Sequence, residues 1–180
     1  VRLGKEMVPM GQELLIICAI EEEFRSKKYA GITHYSGIGK LNAISATYRL
    51  ISQHKPKTII NVGTVGACNY KLDGVVDCGF FYERDNTFDK IDRGIIADSE
   101  KAKCGTGDSF LLLRDIKYDV VDMEAYAIAR ACRDNGVEFL CYKYVTDYVG
   151  KNSREEWNDN LKDSSKCLEK RLDDYFKNPI

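Results

Sequence analysis

Residues 120–150 carry the feature that most limits what this chain can fold into. Two valines run as a buried strand into Asp122 and Glu124, and these acids open an amphipathic helix. A second strand, residues 139–145, is followed at once by Asp147. The strand ends of open α/β sheets bind ligands, so acids after two consecutive strands indicate a site. The alternative is that Asp122 and Glu124 only complement the dipole of the helix that follows them.

The rest of the chain alternates strands with helices, which predicts a single α/β domain with a mostly parallel sheet. One helix is predicted with Leu41, Ile44, Tyr48 and Ile51 on its buried face. At the end, Ser153 and Glu156 resemble a capping box that opens one long helix, with Trp157 in its core-packing stripe. Further strands are predicted at residues 13–20, 32–36, 58–62 and 75–81, and at 94–97 or 102–105.

Composition narrows the classes of function. The chain has 180 residues, with 27 basic side chains against 28 acidic ones, so no basic surface for nucleic acid is expected. The seven cysteines form no Cys-x-x-Cys pair, a pattern typical of reduced thiols in a cytoplasmic protein. No apolar run is long enough to suggest a membrane span. We expect residues 1–11 to be a leader or a cloning remnant and residues 12–180 to form the domain.

Two glycine clusters follow predicted strands. The segment Gly37-Ile38-Gly39 precedes a helix and is compatible with an anion held on backbone N–H groups, although such pairs are usually tight turns. Residues 63–66, with two glycines, are equally ambiguous alone. The two histidines are too few and too scattered for a metal site or a Ser-His-acid triad, and no metal or cofactor is expected.

Six segments, taken together and in order, resemble one family. They are residues 18–23 (CAIEEE), 36–40 (SGIGK), 59–66 (IINVGTVG), 107–110 (GDSF), 121–125 (VDMEA) and 145–147 (VTD). This pattern is similar to the nucleoside phosphorylase/nucleosidase superfamily, and most of all to the bacterial 5′-methylthioadenosine/S-adenosylhomocysteine nucleosidases. The resemblance implies a single-domain three-layer sandwich around a mixed, partly closed sheet. It also implies a homodimer that acts on a small-molecule nucleoside.

The resemblance implies a role for three acids. Glu23 matches the glutamate that activates the attacking water, and Asp147 matches the aspartate that protonates adenine at N7. Glu124 matches the glutamate that holds the ribose hydroxyls. Such roles suit the chemistry, because cleavage of an N-glycosidic bond builds positive charge on the sugar and negative charge on the departing base.

Further residues are implied to bind substrate. Ser109 and Phe110 offer backbone groups and an aromatic face to the base, and Met123 lies beside Glu124. Some positions depart from the family: Thr64 and Thr146 replace serines, Lys143 replaces an arginine, and Asp122 replaces a glutamate. Ile38 and Gly66 of the glycine segments complete the predicted substrate-binding set.

Two alternatives to a nucleosidase remain. A phosphorylase would need a phosphate-binding arginine before residues 63–66, where this chain has Asn61. Glu23 would repel phosphate, and Lys143 is the one cation expected to compensate, so hydrolysis is favoured. A degenerate nucleoside-binding protein is suggested by shortened segments, at residues 24–35 for example, although Glu23, Glu124 and Asp147 are all retained.

Overall fold

Residues 13–86 and 94–178 are described by the computed structural model. Eight strands and four helices occur within these ranges, joined in part by a 3-10 turn at Leu161–Asp163. Residues 1–11, predicted as a leader, lie outside the described part of the chain. The elements are β1 Leu14–Cys18, β2 Thr33–Tyr35, α1 Lys40–His54, β3 Thr58–Ala67, β4 Val75–Glu83, β5 Ile95–Ile96, β6 Ala102–Thr106, β7 Val120–Asp122, α2 Ala125–Asp134, β8 Glu138–Tyr148, α3 Ser153–Asn160 and α4 Ser164–Lys177.

All the strands belong to one sheet. Its order is β2-β1-β3-β7-β6-β4-β5, and β8 pairs with both β3 and β4. The strands β3, β7, β6, β4 and β8 therefore form a closed ring, from which β1, β2 and β5 extend. Pairing is parallel except for β3 with β7, β4 with β5 and β4 with β8. The prediction of a mixed, partly closed sheet is confirmed, and both candidate segments at 94–97 and 102–105 contain strands.

Helices cover both faces of the sheet, and together they make three layers. Alternate residues of β1 point to opposite faces, as the two-residue period of a strand requires. Leu15 and Ile17 pack with α1 and α2, whereas Ile16 packs with Leu168 and Leu172 of α4. A strand buried on both faces explains the continuous apolar run of β1.

The buried face of α1 matches the predicted one only in part: Ile51 is buried and Ile44 packs against the core, as predicted. Ala43, Ala46 and Leu50 are buried, whereas Leu41 and Tyr48 are exposed. Small alanine side chains let α1 lie close to α2, so this face is selected by helix–helix contact and not by the largest apolar residues.

The closing region is two helices and not one. The 3-10 turn separates α3 from α4, where the Ser164 hydroxyl donates to the backbone oxygen of Glu23 at 2.6 Å. The predicted capping box is also absent, because Ser153 is the first residue of α3 and not its cap. Its Oγ accepts a hydrogen bond from the Gly150 N–H, while Glu156 accepts one from the Tyr148 N–H. Both side chains thus accept backbone hydrogen bonds from the end of β8 and the loop after it, and they stabilise that loop. No helix in the described ranges combines the length and apolar character needed to cross a bilayer.

Candidate active site

A cavity of about 250 Å³ opens where several strands of the ring end. Its wall brings together the segments that follow β1 and β7 with the later parts of β3 and β8. Most of the predicted site residues line it: Glu23, Ile38, Thr64, Gly66, Ser109, Phe110, Asp122, Met123, Glu124 and Asp147. Lys143 and Thr146 lie behind this wall and contact acids that do line it. The acids predicted at neighbouring strand ends therefore meet at one cavity.

A β-bulge aims Asp147 into the cavity. The parallel register of β3 and β8 shifts between Val65 and Gly66, so that Gly66 pairs with Asp147 and Thr146 is the additional residue. The Thr146 hydroxyl donates to Asp147 Oδ1 at 2.9 Å. A Cβ atom on Gly66 would lie 2.8 Å from Asp147 Oδ2, so only glycine leaves room for the acid in this position. Burial raises the pKa of Asp147, which favours a carboxyl that keeps its proton.

Glu124 is held by the glycine turn before α1. The backbone N–H of Gly39, a residue with φ of 95°, donates to Glu124 Oε1 at 2.8 Å. The group that accepts a hydrogen bond from the Gly37–Gly39 turn is therefore a side-chain carboxyl of the protein. Burial, together with the negative charges of Asp122 and Glu23, raises the pKa of Glu124 to about 8. Donor groups such as sugar hydroxyls would stabilise its charged form and lower that pKa.

Asp122 has a different task from Glu124. Its Oδ2 accepts a hydrogen bond from the Ala125 N–H at 2.8 Å and lies 2.9 Å from Lys143 Nζ. Its Oδ1 accepts the Thr106 hydroxyl proton at 2.6 Å. Burial raises the pKa of Asp122, but the Lys143 charge and these hydrogen bonds outweigh it and hold the pKa below its ordinary value. The helix-start interpretation thus applies to Asp122, which also keeps Lys143 in a buried ion pair.

Glu23 is enclosed by hydrogen-bond donors. The Thr64 hydroxyl lies 2.5 Å from Glu23 Oε1, and the Thr64 N–H donates to the same oxygen at 3.3 Å. The thiol of Cys18 donates to Oε2 at 3.6 Å. Burial raises the pKa of Glu23, and the charge of Lys143 together with the Thr64 donors acts in the opposite direction. The arrangement presents a carboxylate at the cavity wall with its charge only partly compensated.

Three polar or aromatic residues of the wall were not predicted as site residues. Arg84 follows β4, and its guanidinium donates to the backbone oxygen of Ser109. Arg154 and Trp157 belong to α3, and the Trp157 Nε1–H donates to the Thr64 Oγ1 at 2.9 Å. The helical spacing of Trp157 predicts core packing, whereas the structure places the residue in the cavity wall. Apolar residues at helical spacing look the same in both environments. With two arginines at the cavity, Lys143 is not the one cation near the site.

Asn61 does not line the cavity. Its amide donates to the backbone oxygen of Ile17 at 3.0 Å, and its Oδ1 accepts from the Cys141 thiol. The side chain therefore links three neighbouring strands, β1, β3 and β8. Asn61 therefore has no part in selecting water or phosphate at the cavity, and that choice depends on the charged side chains around it.

Comparison with known proteins identifies the class. A model of the phosphorylase superfamily matches residues 79–177. The 5′-methylthioadenosine/S-adenosylhomocysteine nucleosidase of Bacillus thuringiensis (strain Al Hakam) is 30% identical, over 73% of this chain and 75% of the relative. The chain belongs to the phosphorylase superfamily. Within it, the chain is similar to the nucleosidases, so the prediction of an enzyme that hydrolyses N-glycosidic bonds is confirmed.

Solved structures agree on the fold. The 5′-methylthioadenosine/S-adenosylhomocysteine nucleosidase of Helicobacter pylori superposes on this chain with a TM-score of 0.76 at 17% identity. The match covers 91% of this chain and 98% of that one. Futalosine hydrolase of Helicobacter pylori strain 26695 gives the same TM-score at 16% identity, covering 93% and 100%. At these identities the likeness establishes the three-layer fold with its partly closed sheet.

Proposed function

We propose that this chain hydrolyses the N-glycosidic bond of an adenosine-type nucleoside, such as 5′-methylthioadenosine or S-adenosylhomocysteine. The observation that carries the proposal is the meeting of Glu23, Glu124 and Asp147 at one cavity, from three separate parts of the chain. In the reaction, the bond between the sugar C1′ and the base N9 breaks and its electron pair leaves with the base. A water oxygen bonds to C1′, and the products are the free base and the free sugar.

On the leaving-group side, Asp147 is the general acid. It donates its proton to N7 of the base, which neutralises the charge that develops as the bond to the sugar breaks. The raised pKa of Asp147 suits this role because it keeps the carboxyl protonated at higher pH. The Ser109–Phe110 segment supplies an aromatic face for the base, and Phe110 remains 42% exposed for that contact.

On the sugar side, Glu124 accepts hydrogen bonds from the ribose hydroxyls, and Glu23 takes a proton from the attacking water. Both acids line the same cavity, where the negative charge of Glu23 contributes to the raised pKa of Glu124. Negative charge on this side also stabilises the positive charge that develops on the sugar.

Water is a better nucleophile for this site than phosphate. A phosphate dianion beside Glu23 and Glu124 would meet two acids in a poorly solvated pocket. Lys143 is engaged by Asp122, and the Arg84 guanidinium is directed to Ser109 and Asp85. Arg154 is exposed on α3. These cations therefore provide no enclosed phosphate clamp on the side of Glu23.

Product analysis tests the function directly. Purified protein is incubated with methylthioadenosine in ¹⁸O-labelled water, with and without saturating phosphate. We expect adenine and a free sugar that carries the label at C1′, at a rate that phosphate does not increase. A sugar 1-phosphate as the main product would show a phosphorylase, and no release from any 5′-substituted adenosine would favour a binding protein. Parallel assays with S-adenosylhomocysteine and with 2′-deoxynucleosides define the substrate.

We expect a homodimer in solution. Leu112, Leu113 and Ile116 follow the cavity segment and are 61%, 80% and 86% exposed, an apolar stretch that a partner copy would cover. Light scattering at micromolar concentration should give twice the chain mass. Leu113→Glu should lower that mass, whereas Ile96→Glu, at an exposed isoleucine of β5, should not. A clean 20.5 kDa species for the unchanged protein would contradict the dimer.

We also place the enzyme in the cytoplasm. Cys18, Cys68, Cys78, Cys104, Cys132, Cys141 and Cys167 are all free thiols in the structure, and only Cys167 is not buried. Unpaired cysteines are typical of proteins kept in a reducing compartment.

A further inference from the structure

A tryptophan is connected to the proposed catalytic base through one hydroxyl. Trp157 Nε1 lies 2.9 Å from Thr64 Oγ1, and Thr64 Oγ1 lies 2.5 Å from Glu23 Oε1. The three residues come from α3, from β3 and from the segment after β1, and all of them line the cavity. The two hydrogen bonds share one oxygen atom, so neither can change without affecting the other.

Chemistry fixes the direction of both hydrogen bonds. An indole N–H donates and cannot accept, so Thr64 Oγ1 is the acceptor from Trp157. The hydroxyl has one proton, and Glu23 Oε1 is the acid oxygen that receives it. With one lone pair of Oγ1 occupied by the indole, rotation of the hydroxyl away from Glu23 becomes unfavourable.

We propose that Trp157 is a positioning residue for the hydrolytic reaction, because its indole N–H orients the Thr64 hydroxyl and thereby fixes the carboxylate of Glu23 for the attacking water. The inference rests on the proposed function and deepens it. Trp157 acts on Glu23 only through Thr64, so it is not itself the base. Phenylalanine would preserve an aromatic wall at this position, but it would not provide the donor.

Several other groups also act on the carboxylate of Glu23, and the contribution of the Thr64 hydroxyl can be measured against them as a change in the pKa of Glu23. Cys18 of β1 donates to Oε2, Lys143 of β8 supplies the positive charge, and Glu124 before α2 adds a negative one. A Cβ atom on Gly63 would lie 3.2 Å from Lys143 Nζ and 3.3 Å from Glu23 Oε2, which places lysine and acid on the same side of β3. The Thr64 hydroxyl lowers the pKa of Glu23, so weakening this hydrogen bond raises that pKa.

The kinetic test compares Trp157→Phe with the unchanged enzyme. A water-activating base must be ionised, so a higher pKa of Glu23 should move the acid limb of the kcat/KM profile to higher pH. We expect a shift of about half a unit and a loss in kcat of about three- to tenfold, with a smaller change in KM. In a Thr64→Val background, Trp157→Phe should add almost no further loss, because the connecting hydroxyl is gone. Thr64→Ser keeps the hydroxyl and should preserve the effect.

Fluorescence tests the same connection without turnover. Trp157 is the only tryptophan of the chain, so its emission reports the hydrogen bond of this indole alone. In the substrate-free protein, we expect the emission to change as Glu23 is titrated. Thr64→Val and Glu23→Gln should each remove that change. Circular dichroism and thermal unfolding of each variant exclude misfolding as the cause.

The results separate this inference from the proposed function. An unaltered pH profile for Trp157→Phe, or losses that simply add in the double variant, would overturn the inference while hydrolysis stands. A wild-type emission that does not change through the Glu23 titration would overturn it independently of activity. If the emission titrates as expected but no nucleoside is cleaved, the hydrogen-bonded connection is supported and the proposed function fails.

Discussion

Replacing Asp147 by asparagine is expected to lower base release by about 10²–10⁴-fold, the usual contribution of a general acid. Asparagine is close to isosteric and can still hydrogen-bond to the base, but it cannot transfer a proton to N7. The structural cost should be small, because Asp147 contacts the uncharged hydroxyls of Thr146 and Ser153 and the wall of the cavity, and not a buried cation. The rate should be measured under single-turnover conditions, so that slow product release does not mask the chemical step.

The pH profile adds a readout that a structural defect would not produce. A general acid loses activity when it loses its proton, and burial raises the pKa of Asp147, so its alkaline limb lies higher than for an ordinary aspartate. That limb should disappear in Asp147→Asn. Asp159→Asn, at an exposed aspartate of α3 outside the cavity wall, is the matched control and should retain the wild-type rate and profile. Near-normal turnover by Asp147→Asn would remove the assignment of the acid.

The fold could be predicted where the burial of a strand determines its own residues. The apolar runs of β1, of β3 and of the strand that ends near Asp147 can be recognised in the sequence because both faces of these strands are covered. Closure of the ring could not be predicted from the residue pattern, because it depends on the pairing of a strand of only three residues, β7, with β3 and β6. The break between α3 and α4 was missed for a similar reason. It has no glycine or proline, and it is tied to a contact between Ser164 and the distant backbone of Glu23.

The site was predictable where a polar residue interrupts an apolar pattern. Asp122 and Asp147 stand at the ends of buried strands, where an acid has no packing role, and the structure brings both to the cavity. Trp157 could not be recognised in this way, because apolar residues at helical spacing look the same beside a core and beside a cavity. Arg84 follows β4 in an aperiodic stretch and reaches the wall only through the tertiary fold.

Replacing Glu23 by glutamine is expected to abolish most of the hydrolysis, by about 10²–10⁴-fold, while substrate analogues still bind. Glutamine keeps the size of the side chain and can accept the Thr64 hydroxyl proton through its own carbonyl, so the fold of the segment after β1 should persist. It cannot take a proton from water. The acid limb of the profile should be lost with the carboxylate, since the burial-raised pKa of Glu23 is what sets the pH below which the base is protonated.

The neighbouring Glu22 provides the matched control for this last experiment. It is exposed and does not line the cavity, so Glu22→Gln changes the same net charge and leaves the site intact. Binding of an adenine analogue, followed by the emission of Trp157 or by calorimetry, should be retained in Glu23→Gln. Removal of this acid also removes a negative charge that opposes phosphate, so the variant is the most favourable background in which phosphorolysis could be detected. Full activity of Glu23→Gln would show that another group activates the water, and a sugar 1-phosphate from the unchanged enzyme would replace hydrolysis by phosphorolysis as its reaction.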